Sequence, residues 1–127
     1  MVVCFAGDGC FMMHGQEMAT ACQHDAPVIT ILVNNGMYGT IRMHQEREYP
    51  GRVSGTELKN PDFARLAEAY GGFGAKVLRT EEFAPAFEAA VASGKPSIIE
   101  VAIHPEAITP KMTLTQIREG AVAKKRG

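Results

Sequence analysis

The sequence predicts an α/β fold in which helices flank a mainly parallel sheet. Residues 2–6 and 28–33 are apolar runs that contain β-branched residues, which is typical of strands buried on both faces. Residues 11–24 lie between them and are predicted to form one helix. A strand, a helix and a second strand of these lengths indicate a right-handed parallel crossover. Both strands would then end at the same edge of the sheet.

The downstream sequence predicts two more helices and two more strands. Asn60-Pro61-Asp62 is typical of a helix start, with a capping residue, a proline at the first position and an acid in the first turn. Gly71-Gly72 is predicted to end that helix. A short strand over 75–78 and a buried strand over 97–103 follow, and the helix between them is expected to begin near 83 because of Pro85.

The remaining segments predict less regular structure. A short helix is expected over 38–45 and a loop over 45–60, because the loop is polar and rich in glycine. Two prolines punctuate an irregular tail over 104–127, with a candidate terminal helix over 113–123.

Composition favours one globular domain over 1–127. The chain is 46% apolar and carries 13 basic and 14 acidic residues, which give a net charge of −1 and favour neither nucleic acid nor an anionic membrane as a partner. No apolar run approaches the ~18 residues of a membrane-spanning helix. Three cysteines and the lack of a secretory signal pattern favour a reducing, cytoplasmic location.

Polar residues follow both predicted strands of the crossover. Gly7-Asp8-Gly9 comes after the first and Asn34-Asn35 after the second, so a carboxylate and an amide oxygen are expected to meet where open α/β sheets bind ligands. Asn34 is expected to tie the loop by hydrogen bonds. The alternatives are an Asp-Gly turn that only connects strand to helix, and a type I′ hairpin at Asn35-Gly36. No alternating strand follows to favour the hairpin.

The stretch from Gly7 to Asn35 resembles the thiamine-diphosphate-binding motif, in the acetolactate synthase and 2-oxo acid decarboxylase branch of that superfamily. The resemblance extends over about the first hundred residues. It includes Phe11-Met12-Met13, the run from Gly15 to Ala21, Asn35-Gly36-Met37-Tyr38-Gly39, Phe63-Ala64, Ala69-Tyr70-Gly71 and Ile98-Ile99-Glu100-Val101.

The resemblance implies thiamine diphosphate and magnesium as cofactors. Its metal ligands would be the side chains of Asp8 and Asn35 and the backbone carbonyl of Met37, which two diphosphate oxygens and a water would complete to the six oxygens that Mg²⁺ prefers. The other cofactor-binding positions that it implies are Gly7, Gly9, Cys10, Phe11, Tyr38 and Gly39. It implies no catalytic residue in this chain, because the family's essential glutamate belongs to an N-terminal pyrimidine-binding domain; Glu17 is not that residue.

The implied function is the C-terminal diphosphate- and magnesium-binding domain of a lyase or transferase. Such an enzyme decarboxylates a small 2-oxo acid and, in some members, ligates the product to a second oxo compound. By comparison with the family, we expect this chain to lack two upstream domains and the opening part of its own domain, and to be inactive alone. Its partners would be those domains of the parent enzyme or a neighbouring subunit in a homo-oligomer. Arg42, Arg47 and Arg52 are candidates to meet the substrate carboxylate.

Two other functions remain open at this point. The chain could be a non-catalytic truncated paralogue that acts by association, or a nucleotide- or phosphate-binding α/β module in which Asp8 binds magnesium without thiamine. No Gly-rich phosphate loop favours the second. A zinc site is also conceivable, but the spacing of Cys4, Cys10, Cys22, His14 and His24 matches no common zinc motif, so the cysteines are predicted to be small core residues.

Overall fold

The computed structural model describes residues 1–126, and the chain divides into two compact units. The first unit contains Met1–Asn34 and Asn60–Ala102, and the second contains Asn35–Lys59 and Ile103–Gly127. The single domain predicted over 1–127 stays a prediction, and the two units are taken in turn.

A four-stranded parallel sheet forms the centre of the first unit. Its strands are β1 (Val2–Gly7), β2 (Val28–Asn34), β3 (Phe73–Val77) and β4 (Ser97–Ala102). Their order across the sheet is β1-β2-β4-β3, and every pair is parallel. Gly7 lies beside Val33, so β1 and β2 end at the same edge, which we call the carboxyl edge. The α/β fold and the shared edge are confirmed.

Helices follow the strands in chain order. They are α1 (Asp8–His14), α2 (Glu17–Gln23), α3 (Gly39–Glu48), α4 (Phe63–Ala69), α5 (Phe83–Ser93) and α6 (Leu114–Arg126), with a short 3₁₀ turn at Thr80–Glu82. The start of α5 at Phe83 is as predicted. None of the described helices has the length and apolar character needed to cross a bilayer.

The helix predicted over 11–24 is two helices. The first begins at Asp8, three residues earlier than predicted, and the second begins after Gly15 and Gln16. There the Met18 N–H bonds the Gly15 carbonyl at 3.1 Å and the Ala19 N–H bonds the Gln16 carbonyl at 2.9 Å, both with the tighter spacing of three residues. Glycine favours such a break because it is a weak helix former.

Both faces of the central strands are buried. Ile98 and Ile99 are neighbours on β4 but belong to different apolar clusters, because successive side chains of a strand point to opposite faces. One cluster contains Met18, Leu32, Phe63, Ala67 and Ile98, and the other contains Ile29, Val77, Ala90 and Ile99. The prediction of strands buried on two faces is therefore correct for β2 and β4.

The same prediction is wrong for β1. Val2 is 66% exposed and Phe5 is 73% exposed, and Cys4 is exposed as well. In the part of the chain that the structure describes, β1 pairs with β2 on one side and with no strand on the other. Cys10 is also exposed, so the prediction of core cysteines is correct only for Cys22, which packs against the first cluster.

The start of α4 also differs from the prediction. Asp62, rather than Asn60, caps the helix by accepting a hydrogen bond from the Arg65 N–H at 3.1 Å. That bond is the main reason why the pKa of Asp62 is lowered. The helix ends before Gly71, whose φ of +91° is in the left-handed region, as the Gly71-Gly72 signal predicts.

The second unit contains the helices α3 and α6, which pack against each other. Leu114, Ile117 and Ala121 are buried along one face of α6. The helix predicted over 38–45 continues to Glu48, and the terminal helix predicted over 113–123 runs from Leu114 to Arg126. The loop predicted over 45–60 therefore begins only after Glu48.

A buried carboxylate joins α3 to α6. Glu46 is 1% exposed and accepts hydrogen bonds from Arg118 at 2.8 and 2.7 Å, from Arg42 at 3.0 Å and from the Gly51 N–H at 2.8 Å. The bonds from Arg118 are the main reason why the pKa of Glu46 falls to about 2. Arg42, a sequence candidate for a substrate carboxylate, is bonded to Glu46, and its role towards a substrate stays a prediction.

This pair predicts a stability loss in acid. The pKa of Glu46 is about 2 in the folded chain against 4.5 ordinarily, so its contribution is complete above pH 4.5 and is lost as the pH falls towards 2. We expect Glu46→Gln to cost about 1–3 kcal/mol at pH 7, because it weakens charge-assisted hydrogen bonds to a half-buried Arg118, and to reduce the dependence of stability on pH below 4.5. Urea unfolding at several pH values measures both effects.

The matched control is Glu48→Gln, because Glu48 is an exposed residue of the same helix. It should leave both quantities nearly unchanged. Equal behaviour of the two variants would contradict a stabilising role for Glu46.

Candidate functional site

The site begins where β1 ends. Gly7 is the last residue of the strand and Asp8 the first of α1, and the Asp8 side chain is 2% exposed. Its Oδ1 accepts a hydrogen bond from the Gly9 N–H at 3.0 Å, and its Oδ2 accepts one from Asn60 Nδ2 at 2.7 Å. Neutral N–H groups therefore hold both oxygens of a buried carboxylate at the carboxyl edge.

Asn60 connects this carboxylate to the next strand. Its Nδ2 donates to Asp8 Oδ2 at 2.7 Å and to Asn34 Oδ1 at 2.9 Å. Asn34 is the last residue of β2, so one amide group bonds the ends of two neighbouring strands. Asn34 forms side-chain hydrogen bonds, as predicted, but they join it to Asn60 and to Glu100 of β4. The prediction that it ties the following loop stays a prediction, and the role of Asn60 was missed. Asp62 supplies the cap of α4, so the Asn60 side chain is not needed for that role.

A second buried carboxylate lies at the other end of this chain of contacts. Glu100 is 2% exposed within β4, and its Oε1 accepts from Asn34 Nδ2 at 2.8 Å. Its Oε2 accepts from the Phe63 N–H at 3.1 Å, and the Lys76 ammonium is 3.7 Å from Oε1. A lone acid inside the apolar run of β4 was the sequence signal for this role.

The second unit contains the turn that follows Asn34. Asn35 Oδ1 accepts a hydrogen bond from the Met37 N–H at 3.1 Å, which closes an Asx turn. The Tyr38 N–H bonds the Thr56 carbonyl at 2.9 Å, and Met37 forms a single antiparallel bridge with Glu57. The helix α3 then starts directly, so the type I′ hairpin considered at Asn35-Gly36 is not formed.

Gly39 fits this turn for a steric reason. A Cβ at Gly39 would lie 2.8 Å from Asn35 Nδ2 and 2.8 Å from Ile108 Cδ1, both within the second unit. A larger residue would therefore displace the Asn35 side chain.

The predicted site residues fall into two groups. The first unit contains Gly7, Asp8, Gly9, Cys10 and Phe11, and the second contains Asn35, Met37, Tyr38 and Gly39. The Phe11 ring lies edge to face with Phe63 at 5.7 Å, so its side chain serves the core. The meeting of Asp8 with Asn35 and Met37 stays a prediction. Among residues 1–126, no three His, Cys, Asp or Glu side chains gather into a metal-binding cluster.

Comparison with protein families identifies the domain. The model described as "Thiamine pyrophosphate enzyme, C-terminal TPP binding domain" matches residues 1–101. The chain belongs to this family. As a thiamine pyrophosphate-binding C-terminal domain it has the parallel sheet predicted from the sequence, and the family resemblance drawn from Gly7 to Asn35 is confirmed.

Relatives of this thiamine pyrophosphate-binding domain include two bacterial synthase subunits. The acetolactate synthase large subunit of Haemophilus influenzae is 44% identical over 82 residues, which cover 64% of this chain and 14% of that protein. The acetolactate synthase large subunit of Corynebacterium glutamicum is 37% identical over 107 residues, which cover 80% of this chain and 17% of that protein.

A solved structure is similar in fold as well as in sequence. The benzoylformate decarboxylase of Polynucleobacter necessarius matches with a TM-score of 0.78 and 31% identity, over 86% of this chain and 20% of that one. The chain therefore spans no more than a fifth of the length of these three proteins.

Proposed function

We propose that this chain anchors the diphosphate of thiamine diphosphate through Mg²⁺. It would do so as the C-terminal domain of an enzyme that decarboxylates 2-oxo acids, ligates the product to a second oxo compound, or does both. Its family and its similarity to acetolactate synthase subunits and to a benzoylformate decarboxylase support this. The observation that carries the proposal is the buried Asp8 carboxylate at the carboxyl edge of the sheet.

The proposed ligands suit magnesium. They are the Asp8 carboxylate, the Asn35 amide oxygen and the Met37 carbonyl, and Mg²⁺ prefers such hard oxygens. The hydrogen bonds from Gly9 and Asn60 use one lone pair on each Asp8 oxygen, so neither bond prevents metal ligation. Asn35 Oδ1 accepts from the Met37 N–H and has a second lone pair in the same way.

The charges of this donor set are also suitable. Asp8 contributes one negative charge, and a diphosphate contributes several more. A second carboxylate would add like-charge repulsion, so the neutral amide of Asn35 is the better companion. In this proposal the metal anchors the diphosphate and is not the Lewis acid of the chemical step.

When bound, thiamine diphosphate supplies the electron sink for carbon–carbon bond cleavage or formation, while the protein binds and orients it. We propose that Gly7, Gly9, Cys10, Phe11, Tyr38 and Gly39 line the diphosphate. The Phe11 side chain packs in the core, so Phe11 would contribute its backbone.

The substrate and partners follow the same proposal. A small 2-oxo acid would be the substrate, and upstream domains or a neighbouring subunit of a homo-oligomer would complete the site. The exposure of Val2 and Phe5 on β1 supports a partner surface that packs against this strand, because exposed strand edges and apolar patches favour association.

Metal and cofactor should bind together, because they share oxygen ligands. We expect thiamine diphosphate to strengthen Mg²⁺ binding by the unsubstituted chain, which we call the parent chain. Asp8→Ala should abolish this coupling, and Asn35→Asp should weaken it through added negative charge. Calorimetric titration of Mg²⁺ with and without thiamine diphosphate measures the coupling.

Glu17→Ala is the control, since it removes an exposed carboxylate from α2 of the same unit. It should bind as the parent does. Coupled binding by Asp8→Ala at the parent's strength would show that the metal assignment is wrong.

The chain by itself should not turn over 2-oxo acids, even with thiamine diphosphate and Mg²⁺ supplied. By comparison with the family, a pyrimidine-binding domain would supply both the essential glutamate and half of the enclosure around the reacting carbon. Carbon dioxide release from pyruvate and a panel of 2-oxo acids is the measurement. Turnover that disappears in Asp8→Ala would mean that these 127 residues carry a complete active site.

A further inference from the structure

We propose that Asn60 is the positioning residue of the metal site. It would fix the Asp8 carboxylate in the orientation that ligates Mg²⁺, and Glu100 would fix Asn60 in turn. The inference rests on the proposed function of Asp8 and concerns residues of the first unit alone.

The hydrogen bonds of Asn60 are suited to this role. An amide NH₂ has two hydrogens, and Asn60 directs them to one oxygen on each of two neighbouring strand ends, Asp8 Oδ2 at 2.7 Å and Asn34 Oδ1 at 2.9 Å. The bond to Asp8 is charge-assisted and therefore among the stronger kinds. The Gly9 N–H holds the other Asp8 oxygen at 3.0 Å, so the carboxylate is held from both sides.

The carboxylates at the two ends determine which way both amides face. Glu100 accepts a hydrogen bond from Asn34 Nδ2 at 2.8 Å. It also accepts one from the Phe63 N–H at 3.1 Å, and the Lys76 ammonium lies 3.7 Å away. The NH₂ of Asn34 therefore faces Glu100 and its oxygen faces Asn60. Asn60 must then present its own NH₂, and its second hydrogen meets Asp8.

This arrangement resembles the outer shell of other metal sites. Groups that hydrogen-bond a ligating carboxylate set its orientation, and their loss typically costs 10–100-fold in metal affinity. Mg²⁺ demands a nearly ideal octahedron, whereas Ca²⁺ accepts flexible geometry. A loosened Asp8 should therefore weaken Mg²⁺ binding more than Ca²⁺ binding, which a general loss of stability would not do.

The test compares the affinities for Mg²⁺ and Ca²⁺ by calorimetry in the full chain with thiamine diphosphate. We expect Asn60→Ala to lower the Mg²⁺ affinity about 10–100-fold and to reduce the preference for Mg²⁺ over Ca²⁺. Asn60→Ser, which cannot reach both oxygens with one hydroxyl, should act in the same direction if the alanine variant folds poorly. Glu100→Gln should lower the Mg²⁺ affinity less, because a glutamine at this position allows the Asn34 side-chain amide to exchange the positions of its oxygen and nitrogen.

Ser97→Ala is the matched control. Ser97 is buried in the same sheet and donates to the Lys95 carbonyl at 2.8 Å, but it lies at the opposite end of β4 from the carboxyl edge. It should lower the melting temperature and leave the Mg²⁺-to-Ca²⁺ preference unchanged. An Asn60→Ala or Asn60→Ser variant that matches Ser97→Ala in this preference would overturn the inference.

Two further measurements separate this inference from the proposed function. Asp8→Ala is titrated in parallel. If it binds Mg²⁺ as the unsubstituted chain does, the metal assignment is wrong; if it weakens binding and Asn60→Ala does not, the positioning role alone is wrong. Without metal, NMR follows exchange of the Asn60 side-chain amide protons in the parent chain. We expect slow exchange that Asp8→Ala and Glu100→Gln both accelerate, and fast exchange in the parent would overturn the positioning role whatever the metal does.

Discussion

The hydrogen bonds of the Asn60 amide are the interaction on which the candidate site depends. One nitrogen bonds the Asp8 carboxylate at the end of β1 and the Asn34 amide at the end of β2. The parallel register makes this possible, because Gly7 lies beside Val33 and both strands stop at one edge. Asp62 caps α4 two residues later, so the helix start that follows Asn60 is anchored separately. Two residues of one short segment therefore have separate roles: Asn60 bonds the Asp8 carboxylate, and Asp62 starts the helix.

Two buried carboxylates in one small unit need an explanation, since burying a charge is costly unless it is hydrogen-bonded. Glu100 is held by Asn34, the Phe63 N–H and the Lys76 ammonium. Such contacts offset the cost without making the group a source of net stability. Its presence in an apolar strand is better explained by the orientation that it imposes on Asn34.

Continuous apolar runs were enough to predict the central strands, because β2 and β4 lie between layers of helix and their residues face apolar clusters on both sides. The same argument failed for β1, whose burial depends on what lies beside it and not on its own residues. The helix break after His14 was missed, because Gly15 and Gln16 remain helical in conformation and only their hydrogen-bond spacing changes.

At the site, strand ends and residue types predicted the position of Asp8 and the bonding of Asn34. The partners Asn60 and Glu100 could not be derived, because they are 52 and 66 residues away from Asp8 and Asn34 respectively. Asn60 also belongs to a helix-start pattern, so its presence in the sequence was equally well explained by a role as helix cap. Local patterns specify which groups lie at the carboxyl edge, whereas the contacts between them depend on the packing of α4 and β4.

The central claim is that Asp8 serves a thiamine diphosphate site and not a nucleotide site. The direct measurement is the melting temperature of the parent chain and of Asp8→Ala with thiamine diphosphate or ADP, each with and without Mg²⁺. A ligand at 100 times its dissociation constant stabilises the fold by about 2.7 kcal/mol, which is a shift of several degrees for a domain of this size. We predict a rise only with thiamine diphosphate and Mg²⁺ together, and its loss in Asp8→Ala. An equal rise with ADP and Mg²⁺, or a rise that Asp8→Ala retains, would contradict the account.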